Sequence, residues 1–406
     1  MSSSPSAVTA NEPSPTRATD AGLRPAAGAW SGVSNDRVQL MTAVALLFPL
    51  AAGLAVFGWR AAAGTAVVVV TAVVAAAAWQ RVGRRGSRIS IIGIAILSLL
   101  LAMTLPGHLF SLTPLSPNLP PSWPILPAAG IVLTMLCWML GGTSRIHPVL
   151  LTHLLLVVLF QPHLDARHVL KPEHALRGDL LDAPATESAS IRVPWIAQRQ
   201  TSDDVHDAFS RVPVSARLTP FTTGRAPPER AWLSLEGLIR DRLPAIEDLI
   251  VAGEPGPVGC ASAVAVIVGG LFLLYRGLID YRIPLLIIAA AFLTFLILPV
   301  PIVVTDQGPQ WRWLAFRASA AGWGVAITFA NYEVLASPLL LMAMFIAPSA
   351  SIRPMSRRWR PVFAVVAGVL TAALQLYVNV ATAPYMAILI AGLLTPAMDR
   401  GYRSRA

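Results

Sequence analysis

The chain has 406 residues, of which 55% are hydrophobic and only 13% are charged. Soluble domains carry about 25% charged residues, so this composition excludes an ordinary soluble protein and indicates an integral membrane protein. The net charge of +10 comes almost entirely from arginine, and Lys171 is the single lysine. Nucleic-acid binding is excluded as the reason for this charge, because the arginines lie at the ends of apolar segments, where membrane topology accounts for them.

The chain begins with a predicted disordered cytoplasmic tail, residues 1–36, which is rich in Ser, Pro, Ala and Thr and lacks the apolar core of a secretory signal. Residues 37–160 are the predicted first membrane half, because a membrane helix needs about 20 mostly apolar residues and five such segments follow one another here. The five segments are Val38–Phe57, Ala61–Trp79, Ile89–Leu105, Ile125–Leu140 and Pro148–Phe160.

A long polar stretch, residues 161–257, separates these segments from a second apolar block. Residues 258–398 are the predicted second membrane half, and residues 399–406 form a predicted cytoplasmic tail. The five segments of the second half are Val258–Tyr275, Ile283–Val304, Val334–Ala347, Val362–Asn379 and Pro384–Ala397. An eleventh segment, Leu314–Ala330, contains Arg317 and several glycines and is interpreted as lateral or re-entrant, with an eleventh span as the alternative.

The distribution of arginine predicts that both termini are cytoplasmic. Only three arginines then lie in the short outer loops: Arg60, Arg312 and Arg317. The inner loops and the C-terminal tail hold fourteen: Arg81, Arg84, Arg85, Arg88, Arg145, Arg276, Arg282, Arg353, Arg357, Arg358, Arg360, Arg400, Arg403 and Arg405. The predicted fold is therefore an all-α polytopic membrane protein with about ten transmembrane helices in two inverted five-helix repeats. Residues 161–257 then form an extracytoplasmic loop.

A Gly/Pro turn at residues 253–260 opens the second membrane half. Gly253, Gly256 and Gly259 permit a close approach of backbone or ligand because glycine has no Cβ, and the free amides of the following helix suit an anion or a phosphate. The local sequence by itself favours a plain loop-to-helix turn, and a cofactor-binding role depends on the rest of the chain.

Ionisable residues within the predicted spans are few, and they are candidates for function because they are costly to bury in a membrane. Glu333 lies at the edge of the eighth segment, and no segment has a carboxylate at its centre, which argues against an ordinary ion-coupled carrier. His153 lies within the fifth segment and is interpreted as a hydrogen-bonded histidine between helices. The histidines of the outer loop do not match a zinc spacing, and no metal site is predicted.

Four stretches in order resemble the RnfD/NqrB family, the membrane subunits of Rnf complexes and of sodium-pumping NADH:quinone oxidoreductases. They are Leu100–Pro106, Gly141-Gly142 followed by His147-Pro148, Gly253–Pro284 and Pro354–Asp399. The resemblance covers nearly everything after residue 38. It implies a ten-span subunit of the inner membrane of a bacterial cell, which helps to pass electrons across the membrane, coupled to sodium or proton movement. Other Rnf- or Nqr-type membrane subunits are the implied partners.

The resemblance also implies FMN, which in the family is joined by a phosphoester to a threonine of a Ser-Gly-Ala-Thr type motif in the outer loop. This chain lacks that motif. Two stretches approach it, Asp182–Ser188 and Ser215–Phe221, and they make Thr219, Ser188 and Thr186 the candidate attachment residues, with Thr219 first. Two carboxylates of the family pattern are also lost, because its Gly-Glu is Gly259-Cys260 here and its Thr-Asp-Pro is Ala347-Pro348-Ser349. These losses and the missing motif motivate the alternative, a cofactor-free paralogue that acts as a scaffold or as a small-solute channel or transporter on the same fold.

Overall fold

Apolar runs and their flanking cap residues determine where the helices of this chain begin and end. The structure is a computed structural model. It describes residues 35–82, 90–111, 119–140, 146–165, 212–224, 233–241, 243–251, 255–305, 308–313 and 320–403. Most of these residues are helical.

In the first predicted membrane half, the described residues form four apolar helices of 12 residues or more. They are α1 (Asn35–Val82), α2 (Ile91–Thr104), α3 (Ile125–Met139) and α4 (Pro148–Leu159), and the short α5 (Gln161–Leu164) follows. Ser90 caps α2 by accepting a hydrogen bond from the amide of Gly93 at 3.0 Å. Helix α1 is interrupted at Gly58, whose φ of 69° and ψ of −162° are not helical. The interruption lies where the sequence predicts the loop between its first two segments.

In the region between the two halves, the described residues form short elements only. They are α6 (Val214–Thr222), β1 (Leu233–Ser234), α7 (Leu235–Asp241) and α8 (Ile246–Val251). Leucines 235, 238 and 249 of α7 and α8 are buried. Pro244 lies between α7 and α8 and has no amide hydrogen to continue a helix, so the apolar pattern of this stretch is divided between two helices.

The second half contains helices and a β-hairpin. The helices are α9 (Ala263–Tyr275), α10 (Arg282–Ile297), α11 (Ala320–Leu335), α12 (Leu339–Leu341), which continues as a π-helix (Met342–Ile346), α13 (Arg360–Tyr377) and α14 (Ala383–Arg403). Ser262 caps α9 by accepting a hydrogen bond from the amide of Ala265 at 3.3 Å. The hairpin consists of β2 (Pro299–Thr305) and β3 (Gly308–Trp313).

A three-stranded antiparallel sheet, in the order β1-β2-β3, corrects the all-α prediction. Leu233 pairs with Val304, and Pro299 pairs with Trp313. The predicted span Ile283–Val304 is wrong in its second part, because α10 ends at Ile297 and β2 follows. Proline at residues 299 and 301 disfavours a helix here, and the β-branched residues at 300 and 302–304 favour a strand.

The predicted span Val334–Ala347 does not correspond to one continuous helix. Helix α11 already begins at Ala320, and its direction differs by 62° from that of the following helical segment, Leu339–Ile346. Pro338 lies at the bend and lacks the amide hydrogen that would continue the helix. The stretch predicted as lateral or re-entrant therefore supplies most of α11.

Glycines permit close packing of the helices. A Cβ on Gly130 of α3 would lie 2.7 Å from the carbonyl oxygen of Val68 in α1, and one on Gly368 of α13 would contact the carbonyl oxygen of Ile287 in α10. Small residues at such contacts are typical of helices that associate within membranes.

By length and composition, two of the described helices could each cross a membrane, Arg37–Arg81 and Arg360–Tyr377. The bent pair Gly322–Leu335 and Leu339–Ile346 makes a third when it is counted as one span. Five further described helices, α2, α3, α4, α9 and α10, are apolar but shorter. That the chain has ten membrane spans stays a prediction.

Candidate functional site

Two loops pair with each other, one that follows α2 and one that leads into α9. The amide of Gly107 donates to the carbonyl oxygen of Gly256 at 2.7 Å, and the amide of Val258 donates to that of Leu105 at 3.2 Å. Pro106 and Pro257 form an antiparallel bridge between them. Each loop continues into a 3₁₀ helix, Gly107–Phe110 or Val258–Cys260.

Close packing of the second loop against α2 requires glycine at residue 259. A Cβ on Gly259 would lie 2.7 Å from the Cβ and 3.0 Å from the carbonyl oxygen of Met103 in α2. The residue therefore permits the second loop to pack on α2. Gly256 has open space where its Cβ would be and lines a cavity beside the paired loops.

This cavity has a volume of about 400 Å³, which is within the range of about 300–1,000 Å³ that is typical of small-molecule sites. Both paired loops line it, together with residues from α1, α4, α5, α6, the segment after α13 and the start of α14. Its wall therefore combines residues that are more than 300 positions apart in the chain, from Phe57 to Tyr385.

One side of the cavity is built on a stacked pair of rings. The centroids of His153 and Tyr385 are 3.8 Å apart, and the ring planes are inclined by only 19°. The hydroxyl of Thr104 lies 3.2 Å from Nδ1 of His153, and the hydroxyl of Tyr385 donates to the carbonyl oxygen of Thr104 at 3.4 Å. The interpretation of His153 as a hydrogen-bonded histidine between helices is confirmed.

His108 provides a second polar group in the wall. Its Nε2 lies 2.8 Å from the carbonyl oxygen of His163, so Nε2 carries the hydrogen and donates it. Burial lowers the pKa of His108 below its ordinary 6.5, and this effect outweighs the opposing ones of the His163 carbonyl and of Asp165. His108 is therefore neutral at pH 7 and adds no positive charge to the cavity.

Thr219, the first candidate for flavin attachment, also lies in this wall, in α6. Its side chain is buried. The hydroxyl donates to the carbonyl oxygen of Ser215 at 2.7 Å and accepts from the amide of Val380 at 3.2 Å. The second bond attaches α6 to the segment between α13 and α14.

The structure thus brings two of the predicted site residues, Thr219 and Gly256, to one cavity. Gly259 lies in the adjoining loop, and Thr186, Ser188 and Gly253 lie outside the described residues. The roles of all six in binding a cofactor stay predictions. Sequence reasoning missed Tyr385 and His108, although the Pro-Gly pair before His108 repeats the Pro-Gly pair at residues 255–256 and could have drawn attention to it.

The helices and the cavity define a class, a helical membrane protein with a cavity of small-molecule size beside the two paired loops. The model of the NQR2, RnfD, RnfE family matches residues 26–406. The chain belongs to this membrane-integral family.

Two characterised relatives agree with this assignment. The chain is 25% identical over 378 residues to the D component of the ion-translocating oxidoreductase complex of Stutzerimonas stutzeri, an alignment that covers 92% of each chain. It is 24% identical over 166 residues to the D component of the Na(+)-translocating ferredoxin:NAD(+) oxidoreductase complex of Acetobacterium woodii. That alignment covers 40% of this chain and 43% of the relative, so it spans less than half of the Acetobacterium protein.

Proposed function

We propose that the chain is a membrane subunit of an Rnf- or Nqr-type complex that couples electron transfer to the translocation of Na⁺ or H⁺, with other membrane subunits of such a complex as its partners. One observation carries this function beyond the family assignment. A cavity of about 400 Å³ lies where the loop after α2 pairs with the loop that leads into the predicted second half, and the hydroxyl-bearing Thr219 lies in its wall. A site at the junction of two halves is typical of membrane proteins built from inverted repeats.

The proposed topology has ten spans in two oppositely directed halves, with both termini in the cytoplasm of a bacterial cell. The interruption of α1 at Gly58 supports two spans within that helix. The salt bridge between Arg360 and Asp280, at 3.1 Å, supports the arrangement of the second half, because the arginine pattern places both residues on the cytoplasmic side. The antiparallel bridge of Pro106 and Pro257 supports opposite directions of the two halves.

We propose that FMN occupies the cavity and is attached through Thr219. The residues present fit the ring of a flavin, because the cavity has the volume of a small-molecule site and the stacked rings of Tyr385 and His153 belong to its wall. When bound, the flavin would take up electrons and pass them on, while the protein supplies orientation and electrostatics.

The residues of this chain would hold such a group in three ways. The Thr219 oxygen would form the ester, and it would still accept from the amide of Val380, which fixes its position relative to α14. The stacked rings of His153 and Tyr385 would limit the orientation of a planar ligand. His108, neutral and held by the His163 carbonyl, would leave the local charge unchanged.

Purification of the full-length chain from its native membrane, in mild detergent with a C-terminal tag, tests the proposal. We expect flavin- and iron–sulfur-carrying subunits to co-elute in fixed proportion, and in-gel flavin fluorescence to remain on the denatured band of this chain. Membranes that contain those subunits but yield this chain alone would contradict the proposed function.

A cofactor-free paralogue, acting as a scaffold or as a small-solute channel or transporter, is a second candidate that two observations favour. The Thr219 hydroxyl already makes both a donor and an acceptor hydrogen bond within the protein. Among the described residues that line the cavity, none is Lys or Arg, so these residues offer no cation to a flavin phosphate. Co-purification without attached flavin would favour a scaffold, and solute flux through vesicles that contain only this chain would favour a channel.

A further inference from the structure

Glu333 is a fully buried carboxylate in the last turn of α11. Neither of its carboxylate oxygens has a hydrogen-bond partner among the described residues. An unpaired ionised carboxylate in an apolar interior is costly, so buried carboxylates are paired, bound to a cation or protonated. Within the described part of the chain, Glu333 has no hydrogen-bonded partner, which leaves a bound cation or a proton.

The position of Glu333 adds to this cost. The C-terminal end of a helix carries a partial negative charge, because its last carbonyl groups have no partners within the helix. At the end of α11, the carbonyl of Tyr332 accepts from the amide of Ala336 at 2.8 Å, and that of Val334 accepts from the hydroxyl of Ser337 at 3.4 Å. A carboxylate here adds negative charge to an end that is already negative, and this favours a bound cation.

Among the described residues, no charged side chain offsets the negative charge of Glu333 through a hydrogen bond. The elements that pack against α11 and carry charged residues are α7, α8 and α10. The charged side chains that the structure describes on them are those of Glu236, Arg240, Glu247, Asp248 and Arg282. None of these side chains forms a hydrogen bond with the carboxylate of Glu333.

The backbone around Glu333 resembles known cation sites in its construction. Helix α11 stops, the chain bends by 62° at residues 336–338, and a π-helix follows at Met342–Ile346. Interrupted membrane helices commonly coordinate Na⁺ or H⁺ with the carbonyl groups of their C-terminal ends, and π-helical turns are frequent at functional sites.

We infer that Glu333 and the end of α11 form a site for a monovalent cation, either a proton or Na⁺. With a proton, the side chain is a neutral carboxylic acid. With Na⁺, the ion replaces that proton, which is released, and the carboxylate together with carbonyl oxygens coordinates the ion. The inference rests on the proposed function, in which the chain takes part in ion translocation, and it names a residue that would bind the ion.

Labelling with a hydrophobic carbodiimide tests the site, because the reagent modifies protonated carboxyl groups in apolar surroundings. The full-length chain in detergent is labelled in buffers with NaCl, with KCl or with neither, at several pH values, and the modified peptides are identified by mass spectrometry. For a Na⁺ site we expect NaCl, but not KCl, to protect Glu333, by about ten-fold at ten times the dissociation constant. For a proton site we expect labelling to decrease with rising pH equally in both salts. Either result supports the site, and Glu333 unlabelled under every condition overturns it.

A matched pair of variants provides a second readout. Glu333→Gln keeps the size of the side chain and removes its charge, and Glu247→Gln removes an exposed carboxylate from α8. In Na⁺-free buffer, we expect rising pH to lower the thermal unfolding temperature of the parent and of Glu247→Gln, and Glu333→Gln to lose this pH dependence. For a Na⁺ site, NaCl raises the unfolding temperature of the parent but not of Glu333→Gln. Identical responses of all three proteins would overturn the inference.

These outcomes are separable from a failure of the proposed function. The labelling uses the isolated chain, whereas the proposed function is tested by co-purification with partners. Partners that co-elute while Glu333 stays unlabelled would leave a complex subunit without a cation site here. A labelled, Na⁺-protected Glu333 in a chain without redox partners would indicate a cation-binding membrane protein outside such a complex.

Discussion

Replacement of Thr219 by valine separates the structural role of its hydroxyl from its proposed role in flavin attachment. Valine has nearly the same shape as threonine but neither donates nor accepts a hydrogen bond. The variant loses the bonds to Ser215 and Val380 and leaves the buried amide of Val380 without this acceptor. An unsatisfied buried amide costs about 1–3 kcal/mol.

The control is Thr219→Ser, which keeps the hydroxyl and loses one methyl group. We expect its thermal unfolding temperature, measured by tryptophan fluorescence at a fixed heating rate, to lie closer to that of the parent than that of Thr219→Val. Flavin fluorescence of the denatured band is measured on the same samples. We expect Thr219→Val to lack it and Thr219→Ser to retain it.

Two results would refute the reasoning in different ways. Equal unfolding temperatures of Thr219→Val and the parent would mean that the bond between α6 and the segment before α14 contributes no stability. Flavin retained on Thr219→Val would assign the attachment to another residue, with Ser188 and Thr186 as the next candidates.

Three further predictions concern the surroundings of the cavity. Gly259→Ala should be destabilised by about 1–3 kcal/mol because its Cβ meets Met103, whereas Gly256→Ala, which has open space, should unfold like the parent in the same thermal assay. His108 binds a proton less readily when folded, so the unfolded state binds more protons and stability should decrease as pH falls below 6.5. The part of this decrease that comes from His108 is at most about 1.4 kcal/mol at about pH 5.5, so the decrease should be smaller in His108→Gln than in the parent. The carboxylate of Asp399 accepts from the amides of Met355 and Ser356 at 3.2–3.4 Å. Asp399→Ala should therefore lose about 1.5–3 kcal/mol, and limited proteolysis should cleave the segment at residues 355–356 faster than in the parent.

Local signals predicted the helices well where one apolar run forms one helix. The predicted segment Ile125–Leu140 and the observed Ile125–Met139 differ by one residue. The break between the first two segments was also predictable, because Gly58 tolerates a positive φ that other residues rarely adopt. Such features depend on residues that are close together in the chain.

The hairpin and the bent helix were not predicted, because an apolar composition does not distinguish their conformations. Residues 299–304 are as apolar as a membrane helix, but their prolines and β-branched residues favour a strand, and the partner strand at Gly308–Trp313 makes that conformation stable. The bend at Pro338 was similarly hidden within a continuous apolar run.

By itself, the sequence determined the membrane character of the chain, most helix positions and the family, because these depend on composition, local order and ordered motifs. Only the tertiary structure decided that Thr219, Gly256, His153 and Tyr385 line one cavity, and that Glu333 is buried without a hydrogen-bond partner among the described residues. The physical reason is that a cavity and an unsatisfied charge depend on contacts between distant segments, and a local pattern contains no information about which segments will meet.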